Sequence, residues 1–289
     1  MRMLSVIRTP RRLNRSFAVS FLLFVLLGLF GCFMALPLIF TVNNAFKPLD
    51  ELFIFPPRLF VNNPTMDNFF DLVALMGNSW VPLSRYIANT LLITIVGTAG
   101  HILLASAAAY PLAKYRFRGS RSLFAIVVLS LMFSGHVTAI PNYMVMSWIG
   151  WINTHASIIV PSLAFPLGLF LMKQFMEQIP DALLEAAKID GANEYRIYWS
   201  IVMPNVKPAW LTLMILQFPM LWGSDGGNFI YSENLKTLHY ALGQITAGGI
   251  ARAGVGAAIA LLLMIVPITL FIISQSSVMQ TMATSGMKD

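Results

Sequence analysis

Residues 177–208 form the longest polar interruption in the C-terminal two-thirds of an otherwise apolar chain. Within this stretch Glu185, Ala186 and Ala187 follow one another on a predicted helix. Two small methyl groups let another surface approach closely, and the neighbouring carboxylate can pair with a basic residue in a cleft. These residue types indicate docking and not catalysis. An ordinary amphipathic loop helix with a solvated Glu185 fits the same residues, which alone leave both interpretations open.

The element that must position this triplet is a short helix between Pro180 and Gly191. Ile179 precedes a proline and therefore disfavours helical geometry, which should end the preceding helix. Asp181 is the expected N-cap of a helix over 182–189, where most residues are strong helix formers. Gly191 can adopt a positive φ and should close that helix.

A second helix should follow directly. Asn193 is its expected N-cap, and Glu194 lies in the first turn, where a negative charge is favoured. The helix should run to about Val202 and end at Pro204. Four of its side chains fall on one face at helical spacing, namely Tyr195, Tyr198, Trp199 and Val202. The whole stretch is therefore predicted to be a helix–turn–helix at the aqueous face of a membrane.

The composition restricts the class of protein. The chain has 289 residues, of which 57% are hydrophobic and 11% charged, whereas a soluble domain carries about 25% charged residues. We therefore predict an integral protein of the lipid bilayer. The net charge of +7 comes from basic residues beside apolar segments, which indicates membrane topology and not nucleic-acid binding. The single cysteine, Cys32, excludes an intrachain disulfide bond.

Six apolar segments predict an all-α integral membrane fold with six transmembrane helices. They are 17–42, 86–113, 122–145, 156–176, 209–223 and 254–278. The last five belong to a core over 85–278. The basic segments 1–16 and 114–121 are placed in the cytoplasm, and the more acidic connection 43–84 is placed outside. Both termini, including the tail 279–289, are therefore expected in the cytoplasm.

Polar groups also interrupt the end of the fifth apolar segment, at 218–238. Irregular backbone near membrane depth is tolerated where it borders protein or a water-filled cavity, so this stretch is a candidate lining of a solute pathway. Asp225 and Asn228 could bind hydroxyl groups of a solute, and Trp222 or Phe218 could stack on a ring. A loop that caps the outer end of the bundle is the alternative, and the sequence does not separate the two.

The remaining polar residues indicate no enzyme. Four histidines and one cysteine form no metal-ligand pattern, and neither a P-loop for ATP nor a serine triad is present. His101 could belong to a solute pathway, although a neutral histidine bonded to a neighbouring helix is the favoured interpretation. The apolar segments hold almost no carboxylate, with Asp225 the one candidate, which argues for energy delivered from outside the chain.

The spacing within 177–208 resembles the EAA loop of ABC importer permeases. In that pattern EAA is followed by three residues, Gly, nine residues and I-x-L-P. Here the triplet 185–187 is followed by three residues, Gly191, nine residues and IVMP at 201–204. The one departure is Met203 in place of Leu.

Two further segments are similar to the sugar-importing branch of this family. Residues 190–192 form its DGA triplet, and 86–120 is similar to the second span and following loop of sugar permeases. The chain departs from the branch near the end of the fifth span. Most sugar permeases carry a Trp-Asn pair there, whereas Gly223 follows Trp222 here.

The resemblance implies the six-helix fold of ABC type I importer permeases and the function of a carbohydrate-importing permease in the bacterial inner membrane. The implied partners are a second homologous permease, a cytoplasmic ATPase dimer, an extracytoplasmic solute-binding protein and a sugar. ATP and magnesium would bind to the ATPase, and this chain would bind no cofactor. A permease for a non-sugar solute is the alternative, ahead of an ion-coupled secondary transporter. The residues that match the ATPase-docking loop are Glu185, Ala186, Ala187, Asp190, Gly191 and Pro204.

Overall fold

The computed structural model describes the backbone of residues 17–77 and 80–285, with side chains through Gln275 except that of Ile250. The predicted basic N-terminus, 1–16, and the last four residues of the predicted tail lie outside the described residues. Every regular element of the described part is a helix or a helical turn, in agreement with the predicted all-α class.

Fourteen α-helices follow one another in the described residues, joined by one π-helical and three 3₁₀ turns. The helices are α1 (Phe17–Ala45), α2 (Leu49–Leu52), α3 (Asp67–Gly77), α4 (Leu83–Lys114), α5 (Ser120–Ser130), α6 (Gly135–Ile149), α7 (Ala156–Leu163), α8 (Pro166–Glu177), α9 (Asp181–Ile189), α10 (Glu194–Ile197), α11 (Met203–Asn205), α12 (Lys207–Trp222), α13 (Leu238–Thr246) and α14 (Ala253–Ser285).

Four stretches of the described chain are long and apolar enough to cross a membrane, namely α1, α4, the α7–α8 pair and the first part of α14. They coincide with the first, second, fourth and sixth predicted segments. A fifth candidate is the α5–α6 pair, whose two helices are bent by 109°. The chain is therefore an all-helical membrane protein with four to five candidate spans. Helix α12, in the fifth predicted segment, has 16 residues and falls below the length of a full span.

The third apolar segment, 122–145, is predicted as one helix, and this prediction is wrong. Helix α5 ends at Ser130 and α6 begins at Gly135. Ser134 has extended backbone angles, and its side chain accepts a hydrogen bond from the backbone N–H of His136. A serine N-cap of this kind starts a new helix, so the apolar segment is two helices and not one continuous helix.

Helix α4 lies at the centre of the bundle and packs against α7, α8, α12 and α13. Small residues allow these close contacts. A Cβ atom at Gly97 would lie 2.6 Å from Leu221 Cδ1, and one at Gly100 would lie 2.7 Å from Leu163 Cδ2. Such close contacts are typical of small residues between packed helices, so this span lies in the interior of the bundle. Helix α1 packs on α14 and exposes nearly all of its apolar side chains, as expected of a helix that faces lipid.

Two clusters of buried side chains hold the bundle together. One joins α4, α8 and α9 with residues 197–213, and it includes Met172, Met176, Ile197 and Leu213. The other joins α3 and the start of α4 with α13 and α14. The first cluster supports the 177–208 loop, so that loop rests on a packed core.

The connection 43–84 contains the short helices α2 and α3, which the sequence interpretation missed. Its charged and polar side chains bind within the connection. Lys47 is 2% exposed, and its Nζ donates to Asn44 Oδ1 at 2.9 Å. Asn68 Nδ2 donates to the backbone oxygen atoms of Ala45 and Lys47 at 3.0 and 2.7 Å. These residues stabilise the loop.

Candidate functional site

The loop between α8 and α12 starts at the predicted proline, but its first helix is capped differently. Pro180 precedes α9 in an extended conformation, and Asp181 is the first helical residue. The prediction that Asp181 is the N-cap is therefore wrong. The carboxylate of Asp181 instead forms an ion pair with Lys114, whose Nζ lies 2.8 Å from Asp181 Oδ1.

Lys114, the last residue of α4, anchors the start of α9. Its Nζ also donates to the backbone oxygen of Ile179, and its side chain is 5% exposed, against 77% for Asp181. The hydrogen bond from Lys114 lowers the pKa of Asp181, so the carboxylate is charged at neutral pH and the ion pair is formed. The contact ties the loop to a span 67 residues earlier in the chain.

Glu194 anchors the other end of α9. Its Oε1 lies 2.7 Å from Lys188 Nζ, and its Oε2 accepts a hydrogen bond from Tyr110 Oη at 3.0 Å. The hydrogen bond from Lys188 lowers the pKa of Glu194 most, and those from Tyr115 and Tyr110 lower it further. Because Tyr110 belongs to α4, both ends of α9 are tied to the same span.

The turn after α9 has the predicted geometry. Gly191 has a φ of +80°, and the N–H of Ala192 bonds to the backbone oxygen of Ala187 at 2.9 Å. Asn193 Oδ1 accepts from the N–H of Arg196 at 2.8 Å and caps α10. Both the glycine closure and the asparagine cap are confirmed.

Helix α9 turns two side chains toward the interior of the protein. Leu184 and Ala187 are 7% and 8% exposed and belong to the cluster beneath the loop. Of the EAA triplet, only Glu185 and Ala186 are exposed. Ala187 therefore supports the loop from within, and its predicted contact with a partner would need the loop to shift.

The outward side of α9 carries two apolar residues that the sequence interpretation missed. Ile189 is 87% exposed and Leu183 is 42% exposed. The sequence contained this information, because Leu183 and Ile189 lie on a different side of the helix from the inward-facing Leu184 and Ala187. Together with three exposed predicted residues they form what we name the docking face, which consists of Leu183, Glu185, Ala186, Ile189 and Asp190.

The second helix of the loop does not end at Pro204 as predicted. Helical geometry continues through α11, and the break comes at Val206, with φ −95° and ψ 20°. A wide π-helical turn over Tyr198–Val202 precedes the proline. Its i→i+5 hydrogen bonds change the helical register, so the missing proline N–H interrupts the helix less than it would in a regular α-helix.

The predicted aromatic face of this second helix is divided. Tyr195 and Trp199 are 73% and 41% exposed, whereas Val202 is fully buried. Tyr198 is half-buried and its Oη lies 2.6 Å from Ser106 Oγ of α4. The exposed pair faces outward, and the buried residues fix the loop to the bundle.

A cavity of about 720 Å³ lies among the bent α5–α6 pair, the α7–α8 junction and the end of α12. Asp225 and Phe229, from the predicted 218–238 stretch, line it. Asp225 is exposed, and its Oδ1 accepts from the N–H of Gly227 at 2.8 Å. The stretch therefore borders an open space, and a role of Asp225 in solute binding stays a prediction.

The other predicted pathway residues are spread around this cavity. Asn228 lines a neighbouring cavity of about 700 Å³. Phe218 and Trp222 stack on each other with ring centroids 6.0 Å apart, and Trp222 Nε1 donates to the backbone oxygen of Leu263 at 3.0 Å. This hydrogen bond ties α12 to α14. Neither aromatic residue is among those that line these two cavities.

His101 binds a neighbouring helix, in agreement with the favoured interpretation. It is 1% exposed, and its Nδ1 lies 3.0 Å from the backbone oxygen of Leu163 at the end of α7. The ring meets Phe165 edge-on at 5.8 Å between centroids. It also lines a cavity of about 310 Å³, so a pathway role stays a prediction.

The distal part of the 218–238 stretch caps the bundle. Asn153 Oδ1 accepts from the N–H of Tyr231 at 3.0 Å, and Asn89 Nδ2 donates to the backbone oxygen of Lys236 at 2.9 Å. The first residues of the stretch border a cavity, and its last residues are fastened to α4 and to the connection before α7. A pathway role and a capping role of the stretch both stay predictions.

Within the described ranges, no group of three or more His, Cys, Asp or Glu side chains is arranged to hold a metal ion. The described residues therefore contain a loop with an exposed face, which is fastened to α4 by hydrogen bonds and an ion pair, and a bundle that borders a cavity.

Comparison with known proteins identifies a matching family and similar transport proteins. Residues 101–280 match the family described as "Binding-protein-dependent transport system inner membrane component". Protein LplC of Bacillus subtilis is 32% identical over 240 residues, which cover 81% of this chain and 77% of LplC. The arabinooligosaccharides transport system permease protein AraQ of Halalkalibacterium halodurans is 28% identical, over 71% of this chain and 73% of AraQ.

The fold also matches a solved structure. A chain of a bacterial ABC transporter involved in the import of the acidic polysaccharide alginate superimposes with a TM-score of 0.75 and 22% identity. The match covers 93% of this chain and 99% of that chain. The similarity of the fold therefore extends over nearly the full chain.

Proposed function

The chain belongs to the family of binding-protein-dependent transport system inner membrane components, and on that premise we propose that it is one of two permease subunits of an ABC importer for an oligosaccharide. Membership makes it a multi-pass transport subunit of the inner membrane and not an enzyme. The carbohydrate substrate is supported by the relationship to the arabinooligosaccharide permease and by the DGA triplet at 190–192.

We propose six spans with both termini in the cytoplasm. The bent α5–α6 pair counts as one broken span, because each of its helices alone is too short to cross about 30 Å of hydrocarbon. Helix α12 counts as another span, since α11 precedes it across the break at Val206 and the two together cover 203–222, close to the length of a span. This topology places the docking face in the cytoplasm.

The observation that carries the proposal is the docking face itself. Ile189, a large apolar residue, is 87% exposed on a loop that the rest of the protein holds rigidly. An exposed apolar residue rimmed by Glu185 and Asp190 is typical of a protein-binding surface. The partner proposed for it is a cytoplasmic ABC ATPase with a groove that accepts a short helix and contains a basic residue.

The loop is built to act as a lever between the ATPase and the spans. Lys114 holds the start of α9 and Tyr110 holds Glu194 beyond its end, so α9 cannot move without moving α4. When ATP closes the ATPase pair, the two docked loops would be drawn together and the spans would rock toward the outward-open state. Hydrolysis would then return them to the inward-open state.

The remaining partners follow from this mechanism. A second, homologous permease would complete the pathway, and an extracytoplasmic solute-binding protein would deliver the sugar. ATP and magnesium would be bound by the ATPase, with no cofactor held by this chain. In the docking loop, Gly191 and Pro204 shape the backbone, while the exposed side chains make the contact.

Glu185→Ala and Gly191→Pro test this assignment. Membrane insertion and assembly of the permease pair should stay largely intact, while sugar uptake in cells should be lost because the ATPase no longer docks. Both are measured on the same membranes, by quantitative blotting of the permease pair and by uptake of labelled oligosaccharide. Normal uptake in both variants would refute the role of the loop.

A further inference from the structure

The break between α7 and α8 leaves backbone oxygen atoms without helical partners. Helix α7 ends at Leu163 and Phe165 is extended, so the carbonyl group of Ser162 is one of the last four of the helix and has no intrahelical N–H partner. That carbonyl group is bonded instead by a side chain from another span, because Gln217 Nε2 of α12 lies 3.1 Å from Ser162 O. Gln217 therefore bridges α12 and the break in the fourth span.

The other end of the Gln217 amide is unused. A carbonyl oxygen cannot donate, so the amide nitrogen must face Ser162, which fixes the position of Oε1. Gln217 is 1% exposed, and its Oε1 has no hydrogen-bond partner. A buried acceptor without a partner is costly, and Gln217 is one of the residues that line the 720 Å³ cavity. A ligand donor beside Gln217 in that cavity would supply the missing partner once the side chains that cover Oε1 move apart.

The charges around this cavity select among ligands. Among the described residues that line it there is no lysine or arginine, and Asp225 contributes a negative charge. Hydroxyl and amide groups, including those of Ser130, Thr138 and Asn142, are interspersed with the aromatic rings of Phe133 and Phe229. Rings beside neutral polar groups suit an uncharged sugar, whereas a carboxylated sugar would meet repulsion without any compensating cation.

We propose that this cavity is a subsite for a neutral saccharide, in which Gln217 Oε1 accepts a hydrogen bond from a sugar hydroxyl group. The inference rests on the proposed function and deepens it. The proposal gives this permease subunit a sugar-binding site of its own. It also predicts a neutral substrate, in contrast to alginate, the acidic polysaccharide whose import involves the structurally similar transporter.

Occupancy of the cavity can be measured by thiol protection in the assembled transporter in lipid nanodiscs. Met220 lines the cavity and is 65% exposed, so Met220→Cys in a Cys32→Ser background reports on access to it. Leu216→Cys, on the same helix and not among the lining residues, is the matched control. A small thiol reagent is added with raffinose, arabinotriose or trigalacturonate.

A neutral trisaccharide should slow labelling of Met220→Cys and not of Leu216→Cys, and trigalacturonate should protect neither. Adding Gln217→Met should raise the half-protecting concentration about tenfold, as expected for one lost hydrogen bond. Asp225→Arg, at an exposed position, should allow trigalacturonate to protect. Protection by trigalacturonate alone in the unmodified cavity, or an unchanged half-protecting concentration in Gln217→Met, would overturn the subsite.

If the transporter imports a saccharide but none protects Met220→Cys, the subsite is wrong and the proposed function stands. If no saccharide is imported, both are wrong.

Discussion

Lys114 and Asp181 form an ion pair of 2.8 Å between the last residue of α4 and the first residue of α9. The lysine is the buried member, and it also holds the backbone oxygen of Ile179. The pair therefore fixes the position of the docking loop relative to the central span. In a transporter that is driven by a partner ATPase, this ion pair determines how much of a displacement of the loop is passed on to the pathway.

Lys114→Met should weaken this connection between α4 and α9. We expect faster amide hydrogen exchange over 179–190 and reduced sugar uptake, with the ATPase still bound, because the docking face itself is unchanged. Asp181→Asn should have the smaller effect, since the hydrogen bond from Lys114 to Ile179 remains. Hydrogen exchange with mass spectrometry on the purified complex measures both variants. Equal exchange in Lys114→Met and the parent protein would contradict the anchoring role.

The contacts of Glu194 predict a pH dependence of the loop. Lys188 and the two tyrosines lower the pKa of Glu194 from its ordinary value of 4.5. A lowered pKa in the folded state contributes stability that is present above 4.5 and is lost as the pH falls through the folded-state value. Exchange protection of α9, corrected for intrinsic rates, should be constant from about pH 7 to pH 5 and should fall below pH 4.5.

Glu194→Gln provides the control for that measurement. It should show reduced protection of α9 at neutral pH and a weaker change on acidification, because the titrating group has been removed. A transition of unchanged size and midpoint in Glu194→Gln would assign the pH dependence to another group.

Ile189→Asp should abolish docking of the ATPase. The substitution places a charge at the most exposed apolar residue of α9, where the groove of the partner must be desolvated. Ile189→Val is the matched control and should keep binding within about a few-fold of the parent protein. Co-purification of the ATPase with a tagged permease pair measures the effect. Retention of the ATPase by Ile189→Asp would remove this residue from the docking face.

Gly168→Ala should destabilise the bundle by about 1–3 kcal/mol, the range of core overpacking. A Cβ atom at this position would overlap with the His101 ring, which is held by its hydrogen bond to Leu163. Gly135→Ala, where no atom lies within 4 Å of the added Cβ, is the control and should be close to neutral. The thermal unfolding temperature in detergent compares the two, and equal values would show that the ring moves aside freely.

Local sequence signals predicted the parts of the site that depend on neighbouring residues. The positive φ of Gly191 and the cap by Asn193 depend on a few adjacent residues, and both were predictable. Asp181 carries the same kind of signal, but Lys114, 67 residues away, binds its carboxylate. A competing partner distant in sequence is invisible to a local pattern.

The missed features have different origins. Helix α3 packs on α14, and its buried residues Asn68, Leu72 and Met76 recur every four positions, so its helical pattern was present in the sequence but was overlooked among the prolines of the connection. Gln217 is a polar residue in a largely apolar helix, and its importance comes from a different span, because it binds the carbonyl group of Ser162 where α7 ends. Spans were predictable from composition, whereas breaks and bends within them depended on tertiary contacts.

The measurement that tests the central claim most directly is stimulation of ATP hydrolysis in proteoliposomes. The tagged chain is purified with its permease and ATPase partners, and sugar-loaded binding protein is added. The account predicts that neutral oligosaccharides stimulate hydrolysis in the parent complex and that Glu185→Ala abolishes the stimulation. A chain that purifies without an ATPase and moves solute along an ion gradient would contradict it.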